Sequence, residues 1–174
     1  MVLVLVLVAC SSPKEKMATD IKNTEEELFG DPSNFDLTNE KITDMISKYT
    51  DYAEQFPDDP RSADYLFSAA KVLRTTGKYV DAINMWDRIM TEFPDYADFA
   101  QCLFLQGFTY ENNLSDFDKA GATYKAFLEK YPDHELTDDA EFSLRNLGKP
   151  AEEILEGFKK LREASEAAAD SVKS

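Results

Sequence analysis

"FPDD" occupies Phe56–Asp59, "FPDY" occupies Phe93–Tyr96 and "YPDH" occupies Tyr131–His134. An aromatic residue, a proline and an aspartate recur, first after 37 residues and then after 38. Proline cannot continue a helix, and it biases the residue before it away from helical geometry. The aromatic is placed to fold back on the last helical turn. The aspartate is expected to cap the next helix through its side-chain oxygen. Each occurrence therefore reads as stop, turn and start.

Working outward, the same offset relates apolar stripes on either side of the punctuation. Leu66, Ala70 and Leu73 map at 37 residues onto Leu103, Gly107 and Tyr110, and a second step reaches Ala140, Leu144 and Leu147. The spacing i, i+4, i+7 is one face of an α-helix. Before the second proline, Ala82, Trp86, Ile89 and Phe93 map forward by 38 residues onto Ala120, Tyr124, Phe127 and Tyr131. The extra residue fits "NNLSDFD", longer than its counterpart "RTTGKYVD". The repeated unit is thus two amphipathic helices, a turn between them and a proline after the second.

This pattern resembles the tetratricopeptide repeat. The resemblance rests on a small residue in the first helix (Ala70, Gly107) and an aromatic three positions on (Tyr110). An alanine then opens the second helix (Ala82, Ala120), a large residue follows four on (Trp86, Tyr124), and a proline closes the unit (Pro94, Pro132). It covers about Leu37 to Leu161 and implies an all-α fold: a tetratricopeptide-like superhelix of about three helical hairpins with a C-terminal capping helix. The usual repeat has 34 residues, and the surplus here falls between each proline and the next helix. A first helix one turn longer is the expectation, since three residues are nearly one turn. Helices are expected at about 38–55, 60–75, 79–92, 96–112, 116–130 and 136–147, the first of them a lone second-type helix. Gly148 is expected to stop one helix and Pro150 to begin the last.

The N-terminus reads differently. "MVLVLVLVAC" is apolar from Val2 to Ala9, too short for a bilayer span of about 20 residues but long enough for a signal-peptide core. Leu7-Val8-Ala9-Cys10 resembles the lipobox of bacterial lipoproteins, which implies cleavage before Cys10 and its acylation. No Lys or Arg precedes the apolar run, a departure from the usual pattern. Long repeats ending in "FP" or "YP" are similar to those of bacterial envelope lipoproteins of the outer-membrane-assembly (YfiO) type and the Tol–Pal-associated (YbgF) type. Residues 1–9 then form a signal peptide, 10–36 a lipidated cysteine with a polar tether, 37–166 the repeat domain and 167–174 a disordered tail. Ser11 after the cysteine, in place of aspartate, implies the outer membrane, facing the periplasm.

Composition narrows the function. The 174 residues carry 19 Lys+Arg against 34 Asp+Glu, a net charge of −15. Nucleic-acid backbones and anionic lipid headgroups are bound by clustered positive charge, so neither is an expected partner. With two cysteines and one histidine no zinc constellation is expected. Cys102 reads as a small buried hydrophobe, and His134 as a solvated turn residue. No nucleophile–base pair can be assembled, and neither a cofactor nor a small-molecule substrate is implied.

A second stripe carries the functional reading. Phe67, Lys71 and Arg74 lie beside the core stripe, and the 37-residue offset carries them to Phe104, Phe108 and Glu111, then to Glu141, Arg145 and Gly148. In tetratricopeptide superhelices the first helix of each pair lines a groove for peptides or helices. The resemblance therefore implies a partner-binding surface of Phe67, Lys71, Arg74, Phe104, Phe108, Glu111 and Arg145. The reading is a non-catalytic, lipid-anchored scaffold of the cell envelope that binds a protein partner, in outer-membrane protein assembly or envelope maintenance. The alternative is a structural subunit or a cytosolic adaptor without an anchor.

Overall fold

The computed structural model describes residues 12–31 and 38–172. Cys10 and the apolar run before it lie outside the described residues, so the reading of the anchor rests on sequence. Every regular element among the described residues is helical: α1 (Pro13–Phe29), α2 (Asn39–Gln55), α3 (Arg61–Thr75), α4 (Tyr79–Glu92), α5 (Phe99–Asn112), α6 (Phe117–Lys130), α7 (Thr137–Asn146) and α8 (Ala151–Val172). The chain has the all-α, tetratricopeptide-like fold that the resemblance implies. It divides into two compact units, Met1–Cys102 and Leu103–Ser174.

The punctuation is one backbone motif built three times. Phe56, Phe93 and Tyr131 follow α2, α4 and α6 with φ/ψ of −132/59, −130/65 and −133/58. Each donates its N–H to the carbonyl four residues back, at 2.8–2.9 Å. Two successive three-residue turns follow. Asp59 N–H meets Phe56 O and Ser62 N–H meets Asp59 O; the same pair recurs through Tyr96 and Phe99, and again through His134 and Thr137. The surplus residues are consumed here. The expected extra turn of helix is absent: α5 begins at Phe99, not near Tyr96.

The capping expectation needs a related correction. The aspartate directly after each proline (Asp58, Asp95, Asp133) is exposed. The residue one further on does the work. Asp59 Oδ1 accepts from Arg61 N–H at 3.0 Å, and His134 Nδ1 accepts from Leu136 N–H at 3.1 Å. His134 is half-buried, edge-on to Phe127 with ring centroids 5.6 Å apart. It is a structural turn residue, not a solvated one.

In the first unit, the stretch expected to be a polar tether contains a 17-residue helix. Ser12 Oγ accepts from Glu15 N–H, Pro13 takes the first turn, and Ile21 and Leu28 are buried. They join Met45, Tyr49, Tyr52 and Ala69 in one cluster. So α2 is not a lone helix; α1 is its partner. Ion pairs fasten the top of α1 to the turn after α2. Lys14 Nζ lies 2.9 Å from Asp59, and Arg61 spans Asp59 at 3.0 Å and Glu15 at 2.9 Å. The Arg61 guanidinium above all holds the Asp59 carboxyl far below the usual carboxylate range. In the next hairpin Trp86 is fully buried with Ala69, Ala70 and Leu66, as expected from the pattern.

In the second unit Gly107 faces Tyr124. A Cβ built on Gly107 would lie 2.9 Å from the Tyr124 ring, so only glycine permits this approach of α5 and α6. The turns inside the hairpins use left-handed residues, Gly77 at φ +80 after α3 and Ser115 at φ +53 after α5. They are 38 residues apart, which places the inserted residue before Ser115. The last helix runs to Val172, through most of the stretch expected to be a disordered tail.

Candidate partner-binding site

The structure treats the sequence-predicted residues differently in the two units. In the first unit Phe67 is only 7% exposed and counts as core. Its ring packs on Tyr96, centroids 6.1 Å apart, with Lys71 Nζ 4.9 Å over its centre. Phe67 lies on the second stripe, as expected, but it does not offer an open aromatic face. Lys71 is exposed and Arg74 half-buried. Tyr96 closes this face further by donating to Asp64 at 3.1 Å.

In the second unit the expected residues do line open space. Phe104, Phe108 and Glu111 of α5 share a cleft of about 530 Å³ with Asp139, Phe142 and Asn146 of α7. Phe104 is half-buried, 5.9 Å from both Tyr124 and Phe127, which seats its inner edge. Glu111 accepts a 2.8 Å hydrogen bond from the Tyr124 hydroxyl. Burial, with that carboxylate as neighbour, pushes the Tyr124 phenol above its ordinary range, so it remains a donor at neutral pH. Glu111 therefore ties α5 to α6 as well as lining the cleft.

Arg145 lies elsewhere. It lines an adjoining cavity with Phe142, Lys149 and Phe158, and pairs with Glu141 at 3.7 Å. The sequence step of 37 residues into α7 is off by one. The turn hydrogen bonds place Ser62, Phe99 and Thr137 at equivalent positions, a step of 37 and then 38. With 38, Phe104, Phe108 and Glu111 map onto Phe142, Asn146 and Lys149, and all six line the cleft. The fully buried Cys102 maps onto Ala140, also fully buried. The signal was present in the third "YPD", itself 38 residues after the second. Gly148 is a stop at φ +72, packed near Phe117.

Chemically the cleft offers three phenylalanines rimmed by Glu111, Asp139 and Lys149. Such a surface can bury apolar side chains of a peptide or helix while the rim orients its polar groups. Cys102 is buried, which pushes its thiol up to about 12, and it plays no part in the cleft. Among the described residues no cluster of potential metal ligands occurs, and no helix is long and apolar enough to cross a membrane.

Residues 101–134 match the family model of the tetratricopeptide repeat. No curated protein matches the chain significantly. The matched segment is α5, α6 and the turn to His134, the hairpin that supplies Phe104 and Phe108. Repeats of this family generally mediate protein–protein interaction. The chain thus carries a tetratricopeptide repeat, set in an all-helical fold of the same type.

Proposed function

We propose that this protein is a non-catalytic, lipid-anchored scaffold of the bacterial cell envelope that holds a protein partner in the cleft of its second unit. The observation that carries the reading is the convergence of Phe104, Phe108 and Phe142 on one open cleft. Large apolar side chains at a rimmed concavity on an acidic protein are poorly served by water and well served by a partner. The partner is an extended or helical segment with apolar anchors. Lys149 on the rim of the cleft, with Arg145 in the adjoining cavity, favours acidic flanks on that segment and steers its approach. The anchor is Cys10, on the strength of Leu7–Cys10 and the switch to "SSPKEK" after it. Two or three acyl chains are needed for stable anchoring, since one gives only marginal binding. An outer-membrane, periplasm-facing location follows from Ser11, and outer-membrane protein assembly or envelope maintenance is the process this placement would serve.

Two measurements test the two halves separately. A photo-crosslinking residue at Phe108 or Asn146 should capture a discrete partner in intact cells, and one at exposed Lys125 on α6 should not. Equal capture from Lys125 would remove the cleft from the account. Radiolabelled palmitate should enter the wild type and not Cys10→Ser; equal labelling would remove the anchor.

A further inference from the structure

The last helix leaves an apolar face uncovered. Leu155, Phe158 and Leu161 of α8 are 66%, 52% and 69% exposed, although Phe158 stacks on Phe142 with centroids 5.9 Å apart. We infer that this face is the interface with a second copy of the chain, paired α8 to α8 in antiparallel, two-fold fashion.

The order of charges on α8 points to that occupant. Around Glu156 the helix reads Glu152-Glu153, Ile154-Leu155, then Gly157-Phe158, Lys159-Lys160. Acidic residues sit three and four positions before the centre, and basic residues three and four positions after it. A helix with this pattern is complementary to its own reverse. A two-fold interface has that self-complementarity, in which i meets j and j meets i. A simply acidic or simply basic partner would meet one half of the face and be repelled by the other.

Helix geometry makes the register specific. With 100° per residue, Leu155 and Phe158 share a face, and Glu152 and Lys159 flank it on the same side. Reversing a second helix about an axis level with Glu156 puts Phe158 of the other copy within about 1.5 Å of rise of Leu155, and Lys159 of the other copy equally close to the level of Glu152. By symmetry each pairing occurs twice. Glu152 and Lys159 are seven residues apart, too far to pair within one helix; within its own helix Lys159 reaches Glu163 only at 4.0 Å. Glu156 is level with the axis but turned 100° round the helix from Leu155, away from the other copy, and pairs within its own helix with Lys160 Nζ at 2.8 Å. The stretch from Glu152 to Arg162 is also locally balanced, with Glu152, Glu153 and Glu156 against Lys159, Lys160 and Arg162, while the whole chain carries −15. Two copies repel elsewhere and can meet here.

The test is sedimentation equilibrium on the full chain carrying Cys10→Ser, which removes lipid attachment and any disulfide through Cys10. The expected species is a dimer. Glu152→Lys alone or Lys159→Glu alone should weaken it roughly tenfold, two exposed pairs becoming two repulsions. The double variant should restore the original affinity, because the exchanged charges again face opposites. Circular dichroism of the variants checks that α8 stays helical. A monomer at every concentration up to about 100 μM, the range of a weak interface, would overturn the inference. So would larger species growing with concentration, which signify a head-to-tail contact, or a double variant no better than the singles.

Discussion

The hairpins α3–α4 and α5–α6 come from one pattern and do different things with it. In the first, Ala70 and Trp86 are both fully buried, and Phe67 is sealed beneath Tyr96. In the second, glycine stands where Ala70 stood, Tyr124 where Trp86 stood, and the phenylalanine matching Phe67 opens onto a cleft. The position of Tyr96 in the second proline turn is taken by His134 in the third, and His134 packs on Phe127, not on Phe104. An aromatic lid has thus become a turn brace. Whether a stripe residue is core or surface is decided by the residue two positions after the proline, outside the stripe itself.

That comparison can be broken most directly at its centre. Trp86→Ala should cost on the order of 3–5 kcal/mol, the cavity and transfer terms adding. Urea unfolding followed by circular dichroism would show it, and a loss below about 1 kcal/mol would mean that the first hairpin is not built around Trp86.

The second effect separates the units by pH. Asp59 is paired with Arg61 and Lys14, with Glu15 and Tyr52 nearby, and its folded pKa lies below the unfolded value of about 3.9. The group therefore stabilises the fold above that value, and the contribution is lost as pH falls through and below it. Asp59→Asn should lower stability by about 2 kcal/mol at pH 7, the scale of hydrogen bonds to a charged group. The difference from wild type should shrink on acidification from pH 5 to pH 2. The equivalent position in the second unit, His134, carries no such ion pair. Hydrogen exchange should show amides of α1 losing protection first in acid, ahead of α6.

A smaller effect sharpens the contrast of small residues. Glycine to alanine in a helix ordinarily gains up to about 1 kcal/mol. At Gly107 the new methyl meets the Tyr124 ring, which is fully buried and held by Glu111. Overpacking costs about 1–3 kcal/mol, so Gly107→Ala should be destabilising by about 1 kcal/mol net. The smallest expected change is a gain. Ser115 occupies a left-handed conformation that glycine adopts freely at Gly77, and Ser115→Gly should stabilise by about 0.5–1 kcal/mol in a thermal melt.

Much of this was legible beforehand. The three aromatic–proline pairs located every stop after α2, α4 and α6, because proline acts through local sterics that no tertiary contact overrides. Trp86 and Cys102 were legible as core because their stripes hold the helical period. The helix α1 was not. Its buried residues Ile21 and Leu28 are diluted among charges, and much of its attachment is polar: Tyr49 to Glu25 at 2.7 Å, Lys48 to Asp20 at 2.9 Å, Arg61 to Glu15. Polar pairing between distant helices leaves no periodic trace. Phe142 was missed for a different reason, a register taken one residue short across the "NNLSDFD" insertion. Phe67 was placed on the right face, but its lid, Tyr96, lies 29 residues away.

The three proline turns have a consequence for how such a chain can change length. Phe56, Phe93 and Tyr131 end their helices with backbone angles that agree within a few degrees, and the turns after them share the same hydrogen bonds. A segment running from one of these residues to the next begins and ends on superimposable backbone. It is a cassette: a copy of residues 94–131 spliced in after Tyr131 would meet the same junction on both sides. A gene duplication with its breakpoints at these codons would therefore lengthen the protein by one hairpin without disturbing a single helix end.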